Sequence, residues 1–341
     1  MRFRFPRFIG LFIPLLALAL PAEATEGRVS YNFEVRPILA SKCFSCHGSD
    51  PRNRKGDLRL DSFDGATASA IKPGKPDESE VLLRVESTDP DEVMPPPEKH
   101  QDLTPAQKEV LRRWISEGAA YETHWAFVPP AETSAHSIDE IVDAKLQAKG
   151  WKAAPAAEKH EWLRRATLAL TGLVPTIAEL DAFLADDSPK AQEHVVDRLL
   201  ASPAYGERMA AGWLDAARYA DTFGRHEDME NFMWPWRDWI IKAFNDNLPY
   251  DQFLTWQMAG DLLPQATQEQ RIATGFQRLG MMTNEAGADP EENRWMQIFD
   301  RVQVTSTVVL GLTLECAQCH DHKYDPLSMK DYYQMAAFFD K

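Results

Sequence analysis

Every cysteine in this 341-residue chain belongs to one repeated spacing. The first copy is Cys43-Phe44-Ser45-Cys46-His47, the second Cys316-Ala317-Gln318-Cys319-His320. With four cysteines and nine histidines, a shuffled chain would hold about 0.001 copies of Cys-x-x-Cys-His. Residues i, i+3 and i+4 share one helix face, so each run presents two thiols and an imidazole together. This is the arrangement of c-type haem attachment: the thiols add across two porphyrin vinyl groups, and the histidine that follows ligates the iron. Two structural disulfides would also use four cysteines in an exported protein, but they do not call for a histidine after each pair.

The N-terminus fixes the compartment in which such chemistry is expected. Arg2, Arg4 and Arg7 precede an apolar run, Phe8 to Leu20, and Ala22-Glu23-Ala24 offers small residues at a cleavage site. That layout predicts a secretory signal over 1–24. The 13-residue run contains Pro14 and is short for a membrane span, and no later segment is long and apolar enough to cross a bilayer. A mature chain exported to the periplasm or cell surface, without stable membrane insertion, is therefore expected. The formal charge is −15, and removing the leader, with three arginines and one glutamate, lowers it further. Such a surface repels nucleic acid and anionic lipid.

Composition shifts divide the remainder. Residues 25–123 read as a small domain. Phe33, Val35, Ile38, Leu39 and Cys43 form a helical stripe running into the first motif. Leu58-Arg59-Leu60 is a short strand candidate in a turn-rich stretch, and EVLLRV a short helix. The run LTPAQKEVLRRWISEGAA predicts a helix with Thr104 and Gln107 as its capping box, Pro105 at its first position and Gly118 at its end. Two prolines and polar residues mark a linker over 124–136. Residues 137–341 are predicted as a larger all-α domain whose tryptophans, Trp213, Trp234, Trp236, Trp239 and Trp256, pack its core; VQVTSTVVLGL is expected to be a buried helix. The fold class expected is mainly α, a small cytochrome c-like haem domain followed by a larger helical domain.

A haem held by His47 needs a sixth ligand from a residue remote in sequence. Met94 is the only methionine of the mature first domain, and Pro95-Pro96-Pro97 stiffen the chain that presents it. A His/Met pair raises the reduction potential relative to two histidines. His100 is the rival. For the second motif, His322 is too near His320 along the chain to reach the opposite ring face; His226, Met229, Met233, Met281 and Met282 are the remote donors. Zinc competes at this motif, since Cys316, Cys319, His320 and His322 are donors it accepts, completed by Asp321, Asp325 or His226. A CxxC disulfide is the third option. DHKYDP could orient the imidazole.

Taken together, FEVRPILASKCFSCHG, LRLDS, KPGKPDESEVL, VMPPP and LTPAQKEVLRRWISEGA resemble the planctomycete-type cytochrome c domain. Downstream, RRATLALTGLVPTIAELDAFLAD, VDRLLASPAYGERMAAGWLDAARYADTFG, MWPWRDWIIKAFNDNLPYDQFLTWQMAGDLLP and LGLTLECAQCHDHKYDPLSMKDYYQMAAFF resemble the domain of unknown function that accompanies it in exported proteins. The resemblance covers nearly all of residues 31–339. It implies an exported haem protein and ranks His226 first among sixth ligands for the second haem. Family members usually run on into a further domain, so it also implies a fragment or a shortened member. The expected function is an exported c-type cytochrome carrying haem c, with two haems relaying electrons to a redox partner protein. The alternative is an exported enzyme or binding protein with one haem in the first domain and a zinc-like site at the second motif.

Overall fold

Thr104, Pro105 and Gln107 start a helix as their order requires. Thr104 Oγ1 accepts from the Gln107 amide at 3.2 Å, and Gln107 Oε1 accepts from the Thr104 amide at 3.0 Å. The computed structural model describes residues 27–130, 137–225, 228–283, 285 and 287–340, and it divides into two units, one ending at Trp125 and the other beginning at Ala126. Among the described residues there is no strand, only one isolated bridge between Thr222 and Glu230. The protein is mainly α. Residues 1–24, expected to be a secretory signal, lie outside the described residues.

The first unit is built from five short α-helices: α1 (Arg36–Lys42), α2 (Phe44–His47), α3 (Phe63–Thr67), α4 (Glu80–Glu86) and α5 (Pro105–Ser116). A π-type turn, Tyr31–Val35, leads into α1, and Ser30 caps it. Tyr31, Val35, Ile38 and Leu39 are buried against Leu82, Leu111, Trp114 and Ile115, and Cys43 belongs to the same cluster. Phe33 departs from the predicted stripe and is 72% exposed. The π-type turn adds a residue to the repeat, so the buried face passes from Tyr31 to Val35 and Phe33 faces solvent.

The strand expected at Leu58–Leu60 is absent. The Leu60 amide donates instead to the His47 carbonyl at 2.7 Å, so this segment closes a loop over the motif rather than pairing with another strand. The unit's two ends are clamped together. Glu122 accepts from the Tyr31 amide (3.0 Å), the Asn32 amide (3.1 Å) and Ser30 Oγ (3.4 Å), and Asn32 Nδ2 donates to the Thr123 carbonyl. Glu117 accepts from the Val29 amide.

Ten α-helices make up the second unit among the described residues: α6 (Ile138–Ala148), α7 (Lys159–Thr171), α8 (Ile177–Ala185), α9 (Ala191–Leu200), α10 (Pro203–Ala216), α11 (Trp234–Asn245), α12 (Tyr250–Ala259), α13 (Gln268–Ala273), α14 (Pro290–Val304) and α15 (Met329–Ala336). Its apolar residues gather in three clusters. Leu163, Phe183, Val195 and Leu199 join α7, α8 and α9. Trp236, Trp239, Ile240, Phe253 and Phe276 join α11, α12 and the 3₁₀ turn after α13, with Trp213 and Trp256 packed alongside. Trp234 is 52% exposed and takes no part in the burial predicted for it, because it sits at the first position of α11, two residues before the buried Trp236. The third cluster, Ile298, Val302, Leu314, Ala317, Tyr332 and Ala336, packs α14 and α15 around the second motif. The β-branched run after α14 continues as a π-type turn, Thr305–Val309, with Val304, Thr305 and Ser306 buried. No helix among the described residues is long and apolar enough to cross a membrane.

Candidate haem centres

Cys43 ends α1, and the next four residues make α2, so Cys43, Cys46 and His47 lie on one helical turn. The His47 amide donates to the Cys43 carbonyl at 2.8 Å and the Cys46 amide to the same oxygen at 3.1 Å. All four cysteines are free thiols. Cys43 is buried, and that burial pushes its thiol up to about 12, with Cys46 adding in the same direction. Cys46 is half-buried.

His47 Nδ1 lies 3.1 Å from the Lys55 carbonyl oxygen. A carbonyl can only accept, so Nδ1 carries the proton and Nε2 is left with its lone pair. Burial holds the His47 pKa below its usual value, which keeps the ring neutral. An imidazole fixed in tautomer and orientation by a backbone carbonyl is what a metal-ligating histidine requires. The loop supplying that carbonyl is itself tied down. The Lys55 amide donates to the Cys46 carbonyl at 2.7 Å, and Arg54 donates to the carbonyls of Gly48 and Ser49. Gly48 follows the histidine because a Cβ there would overlap the Phe44 carbonyl oxygen. These donors fit a covalently held haem. Spacing made the two thiols and the imidazole visible in the sequence. The Lys55 carbonyl left no such mark, since every residue carries one.

Met94 lies in the loop after α4, half-buried, its amide donating to the Arg84 carbonyl at 3.1 Å, and Pro95 behind it is buried. His100 is exposed and in the left-handed region.

The second motif is displayed differently. A 3₁₀ turn, Leu314–Gln318, buries Leu314 and Ala317, while Cys316, Cys319 and His320 are exposed. Residues three apart eclipse in such a turn, so the pair at 314 and 317 faces the core and the pair at 316 and 319 faces out. His320 Nδ1 lies 2.8 Å from the Asp321 carbonyl oxygen, so here too Nδ1–H donates and Nε2 keeps its lone pair. The Asp321 carbonyl supplies the orienting bond sought in DHKYDP.

His322 has the opposite role. Its side chain is 8% exposed, and Nδ1 accepts from the amides of Asp325 (2.9 Å) and Tyr324 (3.3 Å). It staples its own loop. Among the described residues no three His, Cys, Asp or Glu side chains converge on a metal-sized site. Of the remote donors, Met233 packs on the Trp236 cluster, Met229 and Met281 are exposed and Met282 is half-buried. His226 lies outside the described residues.

A helical first unit with thiols and an oriented imidazole on one turn defines a c-type cytochrome domain, followed here by a second helical unit. Residues 43–98 match the family described as planctomycete cytochrome c, and residues 137–341 match the family described as protein of unknown function DUF1549. The chain belongs to the DUF1549 family and carries a planctomycete cytochrome c domain ahead of it. No curated protein and no solved structure matches it.

Proposed function

We propose that the protein is an exported electron carrier with two covalently held haems, one at each Cys-x-x-Cys-His run. The observation that carries this reading is His47, held neutral with Nδ1–H on the Lys55 carbonyl, on the turn that also displays Cys43 and Cys46. Bound haem supplies a one-electron iron couple. Cys43 and Cys46 would hold it by thioethers, and His47 would ligate its iron through Nε2. Met94, on its pinned loop, would be the second protein ligand to the iron. At the second run, Cys316, Cys319 and His320 repeat the donor set, with His320 oriented by the Asp321 carbonyl.

The full chain should be made with its own leader in a host with working cytochrome-maturation machinery. Pyridine haemochrome analysis and intact mass then count the haems. Two are expected, and the double variant Cys316→Ser, Cys319→Ser should keep one. A colourless product sinks the reading, and one haem in the parent chain removes the relay. Met94→Ala should lower the first haem's potential and abolish the sulfur–iron absorption band; an unchanged spectrum rules Met94 out.

A further inference from the structure

The carbonyl that orients His47 comes from Lys55, eight residues further along the chain, whereas His320 uses the residue next to it. The first imidazole therefore depends on how the intervening loop is held. Helix α2 ends at His47, and the last carbonyls of a helix have no partner within it. Four consecutive carbonyls, Cys46 to Ser49, are all taken by residues 54–60. The Lys55 amide donates to the Cys46 carbonyl and the Leu60 amide to the His47 carbonyl, both at 2.7 Å. The other two bonds come from a single side chain. Arg54 Nε donates to the Gly48 carbonyl at 3.1 Å, and Nη2 to the Ser49 carbonyl at 2.7 Å. The guanidinium thus ties the start of the loop to the residue immediately before Lys55.

An ion pair does not account for this arginine. Its acidic neighbour, Asp57, lies 3.7 Å away with a side chain 98% exposed, and pairs of that kind contribute little. The Arg54 side chain is only 18% exposed, turned inward onto backbone. A guanidinium is a planar fork whose donors reach two acceptors at once, and an ammonium, a point charge, does not hold both in one fixed geometry. We propose that Arg54 is the positioning residue for the first axial imidazole. Bonded to Gly48 and Ser49, it keeps the Lys55 carbonyl on His47 Nδ1–H and so fixes the plane of the ring. Outer partners of this kind set the orientation and basicity of a ligating histidine. This role rests on the haem reading of the Cys43–His47 run and requires no contact between Arg54 and the haem.

The test uses the haem-loaded full chain carrying Cys316→Ser and Cys319→Ser as parent, so that the first haem alone is read. In the ferric protein, the spread of the shifted haem-methyl NMR signals reports the plane of the axial imidazole. Exchange of the His47 ring N–H reports its bond to Lys55. Arg54→Ala should change the methyl spread and speed exchange of that N–H and of the Lys55 amide. The expected factor is roughly tenfold or more, that of one lost bond to a charged donor. The Leu111 and Ile115 amides, in α5, should exchange as before. Arg54→Lys should fall between, and Asp57→Ala should match the parent. Should Arg54→Ala mature without haem, Arg54→Lys decides. An unmoved methyl spread and ring N–H in haem-loaded Arg54→Ala overturn the proposal. So does an Arg54→Lys protein indistinguishable from the parent, which would leave charge as the only role. Faster exchange extending equally to α5 also overturns it, since that marks a general loss of stability. A colourless parent overturns the haem reading as well, whereas a haem-loaded parent with an unmoved variant overturns this role alone.

Discussion

His47 and His320 share one device, an imidazole whose Nδ1–H is bonded to a backbone carbonyl, yet the thiols beside them live in different surroundings. Cys43 is embedded in the apolar cluster of the first unit, whereas Cys316 and Cys319 are exposed. The difference has a chemical consequence for chain made without haem. Thiolate is the reactive form, so in reduced protein at neutral pH a maleimide should label Cys316 and Cys319 roughly tenfold or more faster than Cys43. Mass mapping at early times reads the order directly, and equal rates would show that Cys43 is not buried. A pH dependence follows from the same group. Its thiol is raised from 9.0 to about 12 by burial, so as pH climbs through that window the unfolded chain has released a proton the folded chain retains. The stability it contributes is present below pH 9.0 and is lost as pH rises towards about 12. Urea midpoints across that range should fall less steeply in Cys43→Ala. The motif spacing was legible in the sequence, but this contrast was not, because which face of a turn is buried depends on residues far away such as Leu111 and Tyr332.

Elements whose ends are marked by their own residues were the readable ones. Thr104 with Gln107, and Ser137 accepting from the Glu140 amide, begin helices where local chemistry places them. The segment Leu58–Leu60 misled because its apolar alternation matches a strand, while its amide partner, the His47 carbonyl, lies thirteen residues back in a different element. Glu122 shows the same limit at the other end of the unit. Just ahead of the proline-rich linker it carries no local signal of its partners, yet its carboxylate accepts from both amides that open the Tyr31–Val35 turn, about ninety residues away in sequence. Hydrogen bonds to a charged acceptor contribute about 1.5–3 kcal/mol each when made, and this site is partly exposed, so Glu122→Ala should destabilise the first unit by about 2 kcal/mol. Exchange of the Tyr31 and Asn32 amides should speed up accordingly, with Glu122→Gln showing a smaller effect. Unaltered exchange in Glu122→Ala would mean the clamp is not made in solution.

At the scale of the whole molecule, charge decides what the protein can meet. The buried clusters of the first unit draw only on residues 29–119, and those of the second only on residues 163–336, so each unit carries its own core. What both contribute to is one strongly acidic chain, with a formal charge of −15. A field of that sign raises the encounter rate of basic partners by about 10- to 1,000-fold at low salt and slows acidic ones. Screening removes the effect once the Debye length, about 10 Å at 0.1 M salt, shrinks below the separation of the approaching surfaces. If the proposed carrier exchanges electrons with soluble proteins, its bimolecular rate with a small basic cytochrome should therefore fall steeply as salt rises from about 0.01 M to about 0.5 M. With an acidic flavodoxin-like donor the rate should start low and climb over the same range. Stopped-flow absorbance at the haem band measures both. A basic partner whose rate ignores salt would show that the acidic residues serve solubility and that docking is governed by a local patch, whatever the net charge.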